Sequence, residues 1–228
     1  MNTTILLCRH GETVANKSGV LQGQMDSPLN QAGQEQANAL GRALLVRCKG
    51  PVPVYSSDLS RAVDTATAVL SCMGVPTAAL KTDERLRERA LGPFQGLTAT
   101  QCERDHPLAW NAFVRGHPQA QLDTVGAAGV EDNATLQHRT VCALREIASV
   151  HAGGVVIVVS HGGAIHSAVA GVTGNEALPH IGNGAIVPLQ LSPDGTGRLG
   201  AAPDASHIVG EVRGADDAAN TRSHGRHE

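Results

Sequence analysis

The chain has 228 residues, 41% of them hydrophobic and 17% charged, which is enough for one large domain or two small ones with a substantial core. A formal net charge of −3 and an aromatic content of only 2% argue against general binding to nucleic acid or to an anionic membrane. Five scattered cysteines without a C-x-x-C pair, and no basic leader followed by an apolar run, predict a reduced cytoplasmic protein.

Short apolar runs alternate with segments of helical spacing along the chain. Strands are predicted at about 3–8, 52–55, 77–80, 155–159 and 185–191. Helices are predicted at about 30–48, 58–73, 98–105, 107–114, 132–151 and 163–172, and residues 14–30 are predicted to be a loop. This alternation is typical of an α/β fold, which we expect to be a three-layer α/β/α sandwich around a mainly parallel sheet.

Residues 81–130 are irregular and contain several prolines and glycines. We interpret them as a cap-like insert over the C-terminal edge of the sheet, anchored by Trp110 and Phe113 at helical spacing. Residues 1–211 then form a single domain, and the polar residues 212–228 form a loose C-terminal tail.

Two predicted strands end in a histidine followed by glycine. Arg9-His10-Gly11 follows the first strand, and His161-Gly162 follows the strand at 155–159. The carboxyl ends of parallel strands meet at one edge of a sheet, so we expect the two histidines to lie close together. Arg61 falls in the first turn of a predicted helix, and arginines and helix N-termini both favour a phosphoryl group.

A histidine in such a pocket can act as a nucleophile, because neutral imidazole can attack phosphorus. Neighbouring arginines would disfavour its protonated form and keep it reactive near neutral pH. Hydrolysis also requires an acid for the leaving oxygen and then a base for water, and one carboxyl group can serve both steps.

Four segments, spread over roughly residues 3–191, resemble the signatures of the histidine phosphatase superfamily, in its phosphoglycerate-mutase-like branch. They are Arg9-His10-Gly11-Glu12-Thr13 with Asn16 and Gln22-Gly23 after it, Ser56-Ser57-Asp58-Leu59-Ser60-Arg61-Ala62, Leu86-Arg87-Glu88 with Gly92–Leu97, and Val158–Gly163. Gly129-Val130-Glu131 is similar to a Gly-Glu-Ser motif of phosphatase members, with Asp132 in place of the serine.

The resemblance implies a role for each matching residue. His10 would be the phosphorylated nucleophile, Glu88 the general acid and base, and Arg9, Arg61 and His161 would hold the phosphoryl group. Glu84, Glu103 and Asp105 lie near Glu88 in the sequence and remain alternatives for the carboxyl group. The predicted binding residues are Gly11, Asn16, Gln22, Gly23 and Gly162. No metal or organic cofactor is expected, since arginines neutralise the phosphoryl charge.

The resembling family contains mutases as well as phosphatases. Mutases resemble one another in a lysine after the third signature and in an Arg-Arg pair, whereas this chain has Leu97–Thr100 and a lone Arg115 there. We therefore predict a phosphatase acting on a small phosphorylated metabolite, with phosphoglycerate mutase as the alternative. A non-catalytic module that binds phosphorylated ligands is a third hypothesis, although His10 and Glu88 are both present.

Several other features remain open in the sequence. Arg89, Arg104 and Arg115 are candidates for holding a second anionic group of the substrate. The oligomeric state is undetermined, with a homodimer as one alternative. Gly195-x-Gly197-x-x-Gly200 formally matches a dinucleotide fingerprint, but we interpret it as a hairpin turn, and His224-x-x-His227 as incidental to metal binding.

Overall fold

Six strands pair into one sheet in the part of the chain that the structure, a computed structural model, describes: residues 1–115, 128–175 and 177–208. They are β1 (Thr3–Arg9), β2 (Val54–Ser56), β3 (Lys81–Thr82), β4 (Val155–Ser160), β5 (Ile186–Leu191) and β6 (Gly197–Leu199). Their order is β3-β2-β4-β1-β5-β6, with parallel pairing from β3 to β1 and antiparallel pairing of β1 with β5 and of β5 with β6. The predicted mainly parallel sheet is confirmed.

Seven helices lie in the described ranges, and the four longest cover the sheet. They are α1 (Val14–Ser18), α2 (Gln31–Cys48), α3 (Ser60–Cys72), α4 (Ala99–Asp105), α5 (Pro107–Arg115), α6 (Asn133–Val150) and α7 (Gly162–Thr173). Polar side chains fix where the long helices begin: Asn30 accepts a hydrogen bond from the Gly33 N–H before α2, and Asp132 accepts one from the Thr135 N–H before α6.

The central strands are buried on both faces, which explains their continuous apolar sequence. Ile5 and Leu7 of β1 belong to the core cluster beneath α6 and α7. Leu6 and Cys8 belong to the cluster beneath α2 and α3. Each large apolar side chain that is fully buried in this way contributes about 1.5–3 kcal/mol to stability. The two clusters separate the three predicted layers and hold the ends of β1 and β4 in place.

The insert packs around a small third core. This cluster contains Leu91, Phe94, Cys102, Trp110, Phe113 and Val130 from the insert, together with Leu21 from the segment after β1. The Phe94 ring lies 5.3 Å from the Trp110 ring and 5.6 Å from the Phe113 ring, so these aromatic side chains anchor the insert as predicted.

Three predicted boundaries are wrong. Thr77–Ala79 forms a 3-10 turn instead of a strand, because the Leu80 N–H bonds back to the Thr77 carbonyl, and pairing with β2 begins only at Lys81. The predicted loop at 14–30 contains α1, which the Thr13 side chain caps. Helix α3 begins at Ser60 after its N-cap Leu59, and Asp58 instead pairs with Arg87.

The hairpin turn predicted from the glycine pattern is confirmed between β5 and β6, where Gly195 has φ of 81°. All five cysteines are free thiols. Within the described ranges, no helix combines the length and apolar character that crossing a bilayer requires. The predicted tail and His224-x-x-His227 lie outside the described residues.

Candidate active site

The histidines that end β1 and β4 lie side by side. Parallel pairing places Arg9 opposite Ser160, so the next residues, His10 and His161, meet at the same edge of the sheet. Their ring centroids are 5.1 Å apart at an interplanar angle of 61°. Both rings are buried. The predicted meeting of the two strand ends is therefore observed.

The His10 ring is held in one orientation by its own loop. Its Nδ1 lies 2.7 Å from the Gly11 carbonyl oxygen, which can only accept a hydrogen bond. In the neutral ring the proton therefore resides on Nδ1, and Nε2 carries the lone pair. Burial lowers the pKa of His10 well below its ordinary value, and the charges of Arg61 and Arg9 lower it further. The site thus contains a neutral imidazole with a nucleophilic nitrogen.

His161 precedes the first turn of α7 and is fully buried. Neither ring nitrogen makes a hydrogen bond within the described part of the chain, although both are buried. Burial lowers the pKa of His161 well below its ordinary value, followed by the charges of Arg61, His10 and Arg9. A buried polar ring of this kind is suited to a hydrogen bond with a ligand.

Backbone carbonyls orient the two arginines. Arg61 is 1% exposed and donates from Nη1 to the Met25 carbonyl at 2.9 Å and from Nη2 to the Gly23 carbonyl at 2.7 Å. Arg9 donates from Nη1 to the Ile181 carbonyl at 2.7 Å. A guanidinium group stays positively charged and offers several N–H donors, so both side chains are suited to an anion such as a phosphoryl group.

Glu88 reaches the same edge from the insert. Its Oε2 accepts a hydrogen bond from the Gly163 N–H at 2.9 Å, and its Oε1 accepts one from the Arg89 N–H at 2.8 Å. The Glu88 carboxylate therefore lies at the start of α7, next to Gly163, which is two residues after His161. The three alternative carboxyl groups considered from the sequence are all exposed: those of Glu84, Glu103 and Asp105.

The predicted amides surround one threonine. The Thr13 hydroxyl lies 2.9 Å from both the Asn16 Oδ1 and the Gln22 Oε1. The hydroxyl has one proton and donates to one of these oxygens at a time. The Asn16 Oδ1 also accepts a hydrogen bond from the Thr13 N–H at 3.1 Å, which turns the Asn16 NH2 group away from Thr13. All three side chains are buried in the segment that follows His10, with Asn16 in α1.

The predicted glycines serve different purposes. Gly11 packs against α2, where an added Cβ would lie 2.4 Å from the Gly33 carbonyl oxygen, and its N–H donates to the Thr65 hydroxyl. Gly23 has φ of 53° and supplies the carbonyl that holds Arg61. An added Cβ at Gly162 would lie 3.5 Å from the Arg9 Nε, which is an ordinary van der Waals contact.

Four residues near the site were missed by sequence reasoning. Thr65 holds the Gly11 backbone, and Asn183 Nδ2 donates to the His10 carbonyl at 3.0 Å. An added Cβ at Gly163 would lie 2.6 Å from the Glu88 Oε1, so a larger residue at this position would displace the carboxyl group. Arg139 binds the segment that carries Glu88. Two of the four had a sequence signal that could have identified them: Gly163 directly follows His161-Gly162, and Thr65 lies one helical turn after Arg61 in the second signature.

The three arginines considered for a second anion differ in position. Arg89 donates from Nη1 to the Glu131 carbonyl beside Glu88. Arg104 is exposed and pairs with Asp105, away from the histidines. The side chain of Arg115 lies outside the described residues. Among the described residues, no group of three or more His, Cys, Asp or Glu side chains could hold a metal ion.

Comparison with known proteins gives a consistent picture. The sequence profile of the histidine phosphatase superfamily (branch 1) matches residues 5–198. The chain is 35% identical over 206 residues to the metal-independent phosphoserine phosphatase of Arabidopsis thaliana, which covers 90% of this chain and 83% of that protein. It is 38% identical over 163 residues to phosphoglycerate mutase-like protein 4 of the same plant, covering 72% of this chain and 68% of that protein.

A solved structure has the same architecture. YhfR of Bacillus stearothermophilus superposes with a TM-score of 0.79 at 29% sequence identity, over 91% of this chain and 100% of that chain. The fold of about nine-tenths of this chain is therefore shared with this protein.

Proposed function

Since the chain belongs to branch 1 of the histidine phosphatase superfamily, we propose that it hydrolyses a small phosphate monoester through a phosphohistidine formed on His10, without a metal or organic cofactor. The observation that carries this proposal is the contact of His10 Nδ1 with the Gly11 carbonyl. It assigns the proton to Nδ1 and leaves the Nε2 lone pair for attack on phosphorus.

In the first step, Nε2 of His10 forms a bond to phosphorus while the bond from phosphorus to the ester oxygen breaks. Arg9, Arg61 and His161 stabilise the negative charge on the transferring phosphoryl oxygens. The lowered pKa of His10 supports this role, because the ring stays neutral at physiological pH.

Glu88 gives a proton to the leaving oxygen in this first step. In the second step it accepts a proton from water while the water oxygen bonds to phosphorus and the bond to His10 breaks. Inorganic phosphate leaves, and both residues return to their starting protonation states. The hydrogen bonds from the Gly163 and Arg89 N–H groups to the carboxylate support this role, because Gly163 is only two residues after His161.

The remaining predicted residues complete the binding pocket. Asn16 uses its NH2 group toward the phosphate, since its oxygen accepts from the Thr13 N–H, and Gln22 lies beside the same threonine. Gly162 contributes the start of α7, whose dipole favours an anion. Gly11 and Gly23 act on the pocket through their carbonyl groups. The Gly11 carbonyl accepts a hydrogen bond from the His10 ring, and the Gly23 carbonyl accepts one from the Arg61 guanidinium.

The substrate class is a small phosphorylated metabolite. A relative named as a phosphoserine phosphatase over 90% of this chain supports this choice. Arg89 lies beside Glu88 and is the described arginine best placed for a carboxylate of such a substrate.

Phosphoglycerate mutase is the second candidate, and the relative named as mutase-like favours it. A mutase must retain a bisphosphorylated intermediate, which requires additional cationic groups at the pocket. Arg104 is exposed and already bound to Asp105, which supports water as the acceptor instead. Phosphoryl exchange between phosphoglycerates distinguishes the two activities.

The test is release of inorganic phosphate from 4-nitrophenyl phosphate with a chelator present, for the native protein beside His10→Ala. We expect release that is insensitive to the chelator and absent from the variant. Release that survives in a folded His10→Ala protein, or that requires a metal ion, would contradict the proposal. Binding of phosphate without any release would favour a non-catalytic module. O-phosphoserine then serves as the first metabolite to assay.

A further inference from the structure

Arg139 lies on α6 and is bound to a segment of the insert. Its side chain is 17% exposed, and that of its partner Glu131 is 10% exposed. Arg139 Nε lies 2.6 Å from Glu131 Oε1, and Nη2 lies 2.8 Å from Oε2. This two-pronged contact matches the planar guanidinium to the carboxylate and fixes the Arg139 side chain.

The same guanidinium binds the backbone that carries Glu88. Nη1 donates to the carbonyls of Arg85 at 2.8 Å and of Arg87 at 2.6 Å. Nη2 donates to the carbonyl of Glu88 itself at 3.0 Å. One side chain therefore holds three of the four carbonyls between residues 85 and 88.

These contacts use the whole donor capacity of the side chain. An arginine has five N–H donors, and Arg139 makes five hydrogen bonds to protein acceptors. No donor is left for a phosphate ester. Arg139 therefore acts on the reaction only through the residues that it holds.

Glu131 completes the attachment from the other side of Glu88. Its Oε2 accepts a hydrogen bond from the Ala90 N–H at 3.1 Å, and its own N–H donates to the Ala90 carbonyl. The Arg89 side chain donates to the Glu131 carbonyl at 2.8 Å. The segment from residue 85 to residue 90 is thus tied down on both sides of the carboxyl group.

We infer that Arg139 and Glu131 are positioning residues that hold Glu88 where it can exchange a proton with the ester oxygen. This inference rests on the proposed function, because it assigns Glu88 the role of acid and base. Lysine cannot replace Arg139, since its three donors diverge from one atom and cannot span a carboxylate and three carbonyls.

The consequence is a dependence on the leaving group. A leaving phenolate needs more help from an acid as its basicity rises, so phenyl phosphate depends on Glu88 more strongly than 4-nitrophenyl phosphate does. Loss of general stability would instead lower the turnover of both esters by the same factor.

The experiment compares kcat/KM for these two esters in native protein, Arg139→Lys and Arg47→Lys. Arg47, which lies on α2, is the matched control, because it also pairs with a carboxylate, that of Asp204. In Arg139→Lys we expect about a 100-fold loss with phenyl phosphate and less than about a 5-fold loss with 4-nitrophenyl phosphate. In Arg47→Lys the ratio between the two esters stays at the native value.

Equal losses for both esters, or no loss, in a folded Arg139→Lys protein would overturn the inference. If this variant does not fold, the same ratio measured in Glu131→Gln decides the question with the same two outcomes. Phosphate release by a folded His10→Ala protein at the native rate would refute the proposed function instead. Failure of the inference and failure of the proposed function are therefore distinguishable.

Discussion

The two halves of the candidate site are built in different ways. The phosphoryl half, made of Arg9, His10, Arg61 and His161, lies at the ends of central elements that are buried on all sides. The acid/base half, Glu88 and its neighbours, belongs to an irregular segment between two 3-10 turns. Side-chain hydrogen bonds from α6 and the insert hold this segment, and its strand-like pairing is limited to one bridge between Leu91 and Val130. Backbone pairing therefore positions the nucleophile, whereas side-chain contacts position the carboxyl group.

This difference predicts that the two halves can be damaged separately. Changes in the phosphoryl half should affect both the binding of phosphate and its transfer, because the same groups contact it throughout. Changes in the acid/base half should leave phosphate binding intact and slow the steps that move a proton.

Glu88→Gln should produce the largest effect. The amide cannot donate or accept the required proton, so kcat for phenyl phosphate should fall by about 10³-fold. The affinity for orthovanadate should change by less than about threefold, because the phosphoryl half is untouched. It is measured as inhibition of the native protein and by direct titration of the variant. A comparable loss of vanadate affinity would show that the two halves are not separable.

Arg61→Ala should have the next largest effect. Removing a buried guanidinium that faces the phosphoryl group should lower kcat/KM by about 10²–10³-fold and should weaken orthovanadate binding in parallel. Arg198→Ala is the control, because Arg198 is exposed on β6 and contacts Gln190. Unchanged kinetics in a folded Arg61→Ala protein would remove Arg61 from the site.

The pH dependence of stability gives the smallest effect. Burial holds the pKa of His10 and of His161 below the ordinary value of 6.5, so the unfolded chain binds protons that the folded chain does not. The free energy of unfolding should therefore fall as the pH drops below about 6.5, by up to about 1.4 kcal/mol per pH unit for each histidine. Above about pH 6.5 the contribution of the two neutral histidines to stability is fully present.

Urea unfolding from about pH 5 to about pH 8 measures this slope. His10→Asn should remove the contribution of one histidine and flatten the slope. His138→Asn, on the exposed side of α6, should keep the native slope. An unchanged slope in His10→Asn would mean that the ring is not excluded from water as the structure indicates.

The same contrast explains how much could be predicted from the sequence. The predictions of the family, the α/β/α fold and a phosphoric monoester hydrolase are confirmed. The meeting of His10 with His161 was predictable because two apolar strands ended in the same residues and parallel strands align their ends. Local sequence carries this information.

The supports of the acid/base half were not predictable in the same way. Arg139 is 51 residues from Glu88 and carries no local signal, because its function depends on a guanidinium meeting three carbonyls in space. Asn183 is 173 residues from His10 and is likewise identified only by its contact. The error at Thr77–Ala79 has a local cause, since short apolar segments fit a strand and a turn equally well.

The most direct test of the account is to trap the phosphoenzyme. Glu88→Gln should slow attack by water more than transfer from 4-nitrophenyl phosphate, so the intermediate should accumulate during turnover. Alkaline quenching, peptide mapping by mass spectrometry and phosphorus NMR then identify the modified atom. The account predicts one phosphoryl group on Nε2 of His10, absent from His10→Ala/Glu88→Gln. A phosphoryl group on another residue, or turnover with no trapped intermediate, would contradict it.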